Sequence, residues 1–391
     1  MSSAEISLTD VRKELKISWY RSPVKPEVLR ELTKRSDLQG WCQAFGHFAL
    51  FLATGVLTFW MWSRQIWIGF AIGMFLHGTV ASFFNGTGPH ELAHGTVFRT
   101  KGLNKLFLYL FSLISWWDPF DYAMSHTYHH RYTLFPKADQ ENVLPLTPSL
   151  RVTTLIQMFT VDLFSRPGRS FGKGGLISTV FHTARAALGI RDTSKVVSRT
   201  WLRALHADQP KEAKKSMWWS RAQILFHIAV LAFSILSGYW IFSLLISVAP
   251  LTGRWATYFV GVPQHCGLRE NVPDFRKCVR SMKLSPILTF LYWRMNWHAE
   301  HHMYAAAPCY RLKRLASVIA DDMPQPKSLI GAWKEMRGIW RRQLTEPDYQ
   351  YDIPLPPSAT AEGGAVGGTS AKVASSELEK SIGDLAPQGL A

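Results

Sequence analysis

Long apolar runs alternate with segments dense in Arg and Lys along the chain. Ala44–Trp62 is a nineteen-residue apolar run, and the polar break Ser63-Arg64-Gln65 separates it from Ile66–Phe84, another nineteen residues in which only His77 is strongly polar. At about 1.5 Å per residue, each run is long enough to cross the hydrocarbon of a bilayer as a helix. The tight break predicts an antiparallel hairpin. Ala222–Trp240 and Ile241–Val262 predict a second hairpin with almost no polar loop, although Pro250, Gly253 and Arg254 weaken its last span. Leu106–Trp117 is only twelve residues long and suits a re-entrant or interfacial helix.

The expected fold is an all-α membrane protein with four transmembrane helices in two hairpins. Residues 1–43 read as a cytosolic arm with short helices, 44–320 as the membrane domain and 321–355 as a cytosolic extension. From Pro356 the chain is rich in Gly, Ala, Ser and Pro without apolar period, a composition that predicts a disordered tail. Met1 to Lys16 has alternating charges and no apolar core, so no cleaved signal peptide is expected. Two hairpins put both ends, the central segment and everything after Val262 on one side of the membrane.

Composition sharpens the picture. Residues 163–221 hold twelve Arg or Lys against three Asp or Glu, which predicts amphipathic helices on anionic headgroups and makes that side cytosolic. The formal charge of +16 is spread between apolar spans, so a membrane surface accounts for it and nucleic acid does not. Sixteen Trp and twenty-three Phe are ordinary where aromatic rings anchor at a bilayer interface. Cys42, Cys266, Cys278 and Cys309 have no Cys-x-x-Cys spacing and read as reduced thiols.

The chemistry lies in the histidines. Eight of fourteen fall in three clusters on the expected cytosolic side: His90 and His94; His126, His129 and His130; His298, His301 and His302. Residues at i, i+3 and i+4 share a helix face, so each cluster is expected to aim its imidazoles at one point. Neutral imidazole is a good ligand for iron, zinc and copper, and eight exceed the capacity of one ion. His265, just after the fourth span, is a candidate ninth ligand. Glu91, Glu300 and Asp139 are candidates for accepting ligand N–H bonds, and Asn296 for holding a water near the metals. His47, His77 and His227, inside apolar spans, read as satisfied core or channel residues, and His182 and His206 as surface residues. Two other classes stay open here. His90-Glu91-Leu92-Ala93-His94 matches the zinc-peptidase pattern with Glu91 as general base, and a receptor or transporter with a histidine-rich metal site is also compatible.

Taken together, the clusters resemble the three boxes of the membrane fatty-acid desaturase superfamily, His-x3-His followed by two His-x2-His-His. Gly88-Pro89-His90-Glu91-Leu92-Ala93-His94 looks like its first box, and Tyr292-Trp293-Arg294-Met295-Asn296-Trp297-His298-Ala299-Glu300-His301-His302 like its third. The resemblance covers roughly residues 40–320. It implies a mushroom-like helical fold with four spans and a cytosolic cap holding two iron ions. It also implies an O2-dependent desaturation or hydroxylation of a lipid or other apolar substrate, in the endoplasmic reticulum or a bacterial inner membrane. Neither a His-Pro-Gly-Gly haem segment nor paired Cys-x-x-Cys motifs are present, so a separate donor of cytochrome b5 or ferredoxin type is expected to supply electrons. The apolar segment ending in Trp116 and Trp117 either lines the substrate entrance or anchors at the interface.

Overall fold

Residues 7–141, 147–164, 175–190 and 198–360 are described here from a computed structural model. Short helices α1 (Leu8–Glu14) and α2 (Pro26–Thr33) begin at sequence-coded starts, a Ser7 cap and Pro26 in the first turn. Ser36 caps α3 (Asp37–Ser63), which then runs through the whole first apolar stretch. Gln65, with φ of 57°, reverses the chain into α4 (Trp67–Ser82), which continues through one turn into α5 (Thr87–Ala93). This is the expected first hairpin. Small residues let its helices close up: a Cβ on Gly73 would sit 2.8 Å from Thr58 Oγ1.

Helices α6 (Lys101–Ile114) and α7 (Pro119–Tyr132) follow, then α8 (Val152–Phe159), α9 (Leu176–Ala187) and α10 (Arg199–Asp208). The twelve-residue run forms most of α6, whose Phe107, Phe111 and Ile114 are buried against the core while Leu106 faces outward. Trp116 and Trp117 are buried rather than exposed at an interface. Helix α9 packs on α11 (Pro210–Leu236) and exposes Ile177, Val180 and Phe181, as expected of an amphipathic helix in the basic segment. Residues 165–174 and 191–197 of that segment lie outside the described residues.

The second hairpin departs from expectation. Helix α11 starts at Pro210, well before the apolar run, and ends at Leu236, where Gly238 adopts φ of 72°. The continuous helix expected over 241–262 does not form. Its place is taken by a π-helical stretch Ser243–Val248, a 3-10 turn Ala249–Leu251 and then α12 (Trp255–Gly261). Pro250 has no N–H to give a helix ladder, and Gly253 has φ of +60°, so the helix is interrupted there. Thr252 pairs instead with Val161, and its carbonyl approaches α4 so closely that a Cβ on Gly78 would lie 2.6 Å from it. Among the described residues, three helical stretches are long and apolar enough to cross a membrane: Asp37–Ser63, Trp67–Ala93 and Pro210–Leu236. The second is the inner one, with half of its apolar window buried against 22% in each of the others.

The rest of the chain folds through α13 (Phe275–Cys278), α14 (Pro286–Leu291), α15 (His298–Met303), α16 (Leu312–Val318) and α17 (Leu329–Gln343). A two-residue parallel pair, β1 (Met282–Lys283) with β2 (Lys327–Ser328), ties α17 to the segment before α15. Phe83, Phe84, Phe98, Phe111 and Trp293 are fully buried in one core that joins the membrane helices to the histidine-bearing ones. The expected tail from Pro356 falls, after residue 360, outside the described residues.

The intramembrane histidines are satisfied core residues, as their positions suggested. His47 lies between Val80 O (3.1 Å) and Trp293 Nε1 (3.0 Å). His77 lies between Thr54 Oγ1 and Leu245 O, and His227 between Ser247 Oγ and Leu113 O. His206 differs from its surface reading: its Nε2 is 2.8 Å from Asp121 Oδ1 on α7, and the residue is only partly exposed.

Candidate metal centre

Helix α7 starts where the sequence says it must. Asp118 Oδ1 accepts from the backbone N–H groups of Phe120 and Asp121, and Pro119 occupies the first turn. The start fixes the rotation of the helix, and with it the directions of His126, His129 and His130. At about 100° per residue, i+4 departs from i by about 40° and i+3 by about 60° the other way. His126 and His130 therefore share one direction and His129 points to another.

The consequence is a division that the sequence reading did not contain. The clusters do not each converge on one point. His90, His94, His126, His130 and His301 form one group, and His129, His265, His298 and His302 a second. Within each group the candidate ligand nitrogens all lie within 4.8 Å of one another, and all nine residues are buried. Helices α7 and α15 each send an i,i+4 pair to one group and the remaining histidine to the other. His265, which follows a 3-10 turn at Val262–Gln264, completes the second group.

The Nε2 atoms face inward. His301 Nε2 is 2.9 Å from His90 Nε2 and 3.3 Å from His130 Nε2. His298 Nε2 is 3.0 Å from His265 Nε2 and 3.2 Å from His302 Nε2. One imidazole nitrogen has either one in-plane hydrogen or one lone pair, so it cannot hydrogen-bond to two other nitrogens at once. A shared cation resolves the conflict. Imidazole nitrogens about 2.1 Å from a metal and at right angles lie about 3 Å apart, which matches these separations. The residues present therefore fit a metal in each group.

The outward nitrogens support the same state. His129 Nδ1 meets Asp139 Oδ2 at 2.9 Å, His126 Nδ1 meets Glu141 Oε1 at 3.1 Å, and His265 Nδ1 meets Cys278 O at 3.1 Å. His302 Nδ1 faces Thr133 Oγ1 at 3.1 Å, and that hydroxyl donates to His129 O, leaving its lone pair for the ring. His90 Nδ1 is 2.6 Å from the Tyr122 hydroxyl. A proton held on Nδ1 leaves the Nε2 lone pair free to bind. Burial favours the neutral ring: it pushes His94 down to about 4 and His265 to about 3, and holds His126, His130, His298, His301 and His302 well below the ordinary imidazole value. His129 is the exception, because Asp139 and Glu141 outweigh burial and raise it. Burial also raises Glu141 and Glu300 to about 7.

Of the other residues named from sequence, Asp139 touches a histidine directly. Glu91 is fully buried, 3.5 Å from His301 Nδ1, with no hydrogen-bond partner on either oxygen among the described residues. Glu300 accepts from Ser281 Oγ rather than from an imidazole. Asn296 donates to Met282 O (2.8 Å), which anchors β1, while its Oδ1 is buried without a partner among the described residues. Tyr122, Glu141 and Thr133 were not singled out in the sequence. Tyr122 lies four residues before His126, on the same face of α7, and this spacing was the available signal.

No match to this chain is found among curated proteins. A family model described as fatty acid desaturase matches residues 65–332, which is more than half of the chain and includes all nine histidines. This match agrees with the buried histidine groups and the three apolar helices, and the chain belongs to the fatty acid desaturase family.

Proposed function

We propose that the protein is an O2-dependent di-iron desaturase that introduces a double bond into an acyl chain or a similar apolar substrate. The observation that carries this reading is the pair of buried imidazole groups whose Nε2 atoms face one another. His90, His94, His126, His130 and His301 would hold one iron, and His129, His265, His298 and His302 the other. An all-nitrogen set of this size suits iron and leaves the zinc-peptidase alternative with seven histidines unexplained by its motif. Bound iron, with O2 and two external electrons, supplies the oxidising power that an unactivated C–H bond requires. The balanced outcome is loss of two hydrogens from adjacent carbons and reduction of O2, with two electrons and two protons, to two waters.

The chain's own part is placement. Asp139, Glu141, Tyr122, Thr133 and the Cys278 carbonyl fix the rings, and burial keeps bulk water from them. Four crossings, a cytosolic cap and a separate donor of cytochrome b5 or ferredoxin type complete the proposal. The apolar substrate would enter from the bilayer, and the buried Trp116–Trp117 corner, packed beside α11, is the candidate lining. Hydroxylation is the second reading, because it uses the same O2 and electrons and differs only in whether oxygen is returned to carbon. Mass spectrometry of products after expression in a host of defined lipid composition tests both. An alkene supports desaturation and an alcohol hydroxylation. An unchanged lipid profile from iron-loaded protein with donor present would sink both.

A further inference from the structure

His265 sits on a loop that is held from outside by one side chain. Its Nδ1 faces Cys278 O, and two residues later Arg280 reaches back around it. The Arg280 backbone N donates to Gln264 O at 2.8 Å. Its guanidinium donates to Pro263 O and, at 3.3 Å, to Cys266 O. Carbonyls on both sides of His265 thus end on Arg280, which is only 4% exposed. A planar guanidinium with five donors can bridge them, and a lysine ammonium lacks that fork.

A cation this deep needs a partner. Arg280 Nε donates to Glu335 Oε1 at 3.1 Å, and the other Glu335 oxygen accepts from the Tyr351 hydroxyl at 2.8 Å. Glu335 belongs to α17. The same part of the chain presses on the loop at two more places. Gly267, at φ of +77°, approaches Ile339 so closely that a Cβ would lie 3.0 Å from its Cγ2, and Leu268 bridges to Tyr351. Glu335, Ile339 and Tyr351 all lie beyond residue 332, where the family match ends.

We propose that Arg280, fixed by Glu335, is the positioning residue for His265, so that the C-terminal segment 335–351 controls metal retention in the group of His129, His265, His298 and His302. This rests on the reading of His265 as an iron ligand. The test compares full-length Arg280→Gln, Arg280→Lys, Glu335→Gln and His265→Ala proteins loaded with iron-57. Iron per chain under chelator competition and the Mössbauer spectrum are read beside size-exclusion behaviour in detergent. The expected result is selective loss. One of two iron signals weakens in Arg280→Gln and Glu335→Gln, with retention at that site lowered about 10–100-fold, as for other partners of metal ligands. Arg280→Lys falls between these and the parent.

Unchanged retention of both irons would overturn the proposal, and so would equal loss of both from folded protein, the signature of a merely structural role. If Arg280→Gln does not fold, Glu335→Gln decides alone, since its side chain lies nearer the surface at 11% exposure. His265→Ala separates the two levels. If it keeps both irons, the ligand reading fails as well. If it loses one while the Arg280 and Glu335 variants keep two, only the positioning role fails.

Discussion

His129 Nδ1 and Asp139 Oδ2 lie 2.9 Å apart at a buried site, and the same carboxylate oxygen accepts the backbone N–H of Leu134. The carboxylate is thus anchored independently of the ring that it orients. Asp139→Asn should lower iron retention by about 10–100-fold while leaving the helical fold intact, because an amide can orient the ring but does not raise the basicity of its Nε2 as a carboxylate does. Iron per chain against chelator concentration checks this, and an unchanged curve would remove Asp139 from the site.

Single Ala substitutions at His90, His94, His126, His129, His130, His298, His301 or His302 should abolish turnover and lower bound iron. Parallel product assays and metal analysis read the result. Full activity in any two of the eight would remove the di-iron assignment.

Glu91 and His265 separate the two enzyme classes. In the di-iron reading, His265→Ala loses most activity and Glu91→Gln is only partly impaired. A zinc peptidase would show the reverse, because Glu91 would be its general base. The ranking of the two variants in the same assay, with metal identity measured, decides.

Acid should weaken the centre. The folded protein holds His94 near 4 and His265 near 3 by burial, against about 6.5 for a free imidazole. These rings contribute no penalty above about pH 6.5, where they are neutral in both states. Below it the unfolded chain binds protons that the folded one refuses, so stability falls as pH falls toward 4. His129, raised by Asp139 and Glu141 against burial, and Glu141 and Glu300, raised to about 7 by burial, act in the opposite sense. They are outnumbered by the depressed rings of His94, His126, His130, His265, His298, His301 and His302. Thermal unfolding of chelator-treated protein at pH 7.5, 6.5 and 5.5 should show a declining midpoint. A flat or rising profile on acidification would contradict neutral burial.

Electron supply should depend on salt. The 163–221 segment has a net charge of +9, from twelve basic and three acidic residues, and a small acidic donor would be steered to it. Donor-limited turnover in neutral detergent should fall as ionic strength rises, and charge reversal at several of Arg185, Lys211, Lys214 and Lys215 should mimic high salt. Arg191, which belongs to the same basic run, lies outside the described residues. A flat salt response would leave this segment to anionic headgroups alone.

Much of this architecture is readable from residue order, for reasons that differ by element. The first hairpin was legible because α3 and α4 are long, apolar and separated by three polar residues. Eight of the nine histidines stood out through helical spacing, and His265 through its place just after the fourth expected span. Their division did not, because it depends on the rotation that Asp118 imposes on α7 and on how α15 meets it. The broken segment after α11 had its warning in Pro250 and Gly253, yet apolar composition outweighed that signal. Tyr122, Glu141 and Thr133 are common residue types, and only the packed arrangement brings them to a ring nitrogen. The hold of Glu335 on Arg280, and through it on the His265 loop, joins positions fifty-five residues apart, with no local pattern to announce it.

Because α7 and α15 each serve both imidazole groups, neither half of the centre is mechanically independent. Seating one ion locks the rotation of both helices and so prepays much of the ordering that the other half requires. An ion that stays in one group should therefore keep the emptied group preformed and ready to refill, so the half-filled protein is a distinct and recoverable species. A cell short of iron would then hold chains that one further ion returns to work, rather than chains whose whole centre must be rebuilt.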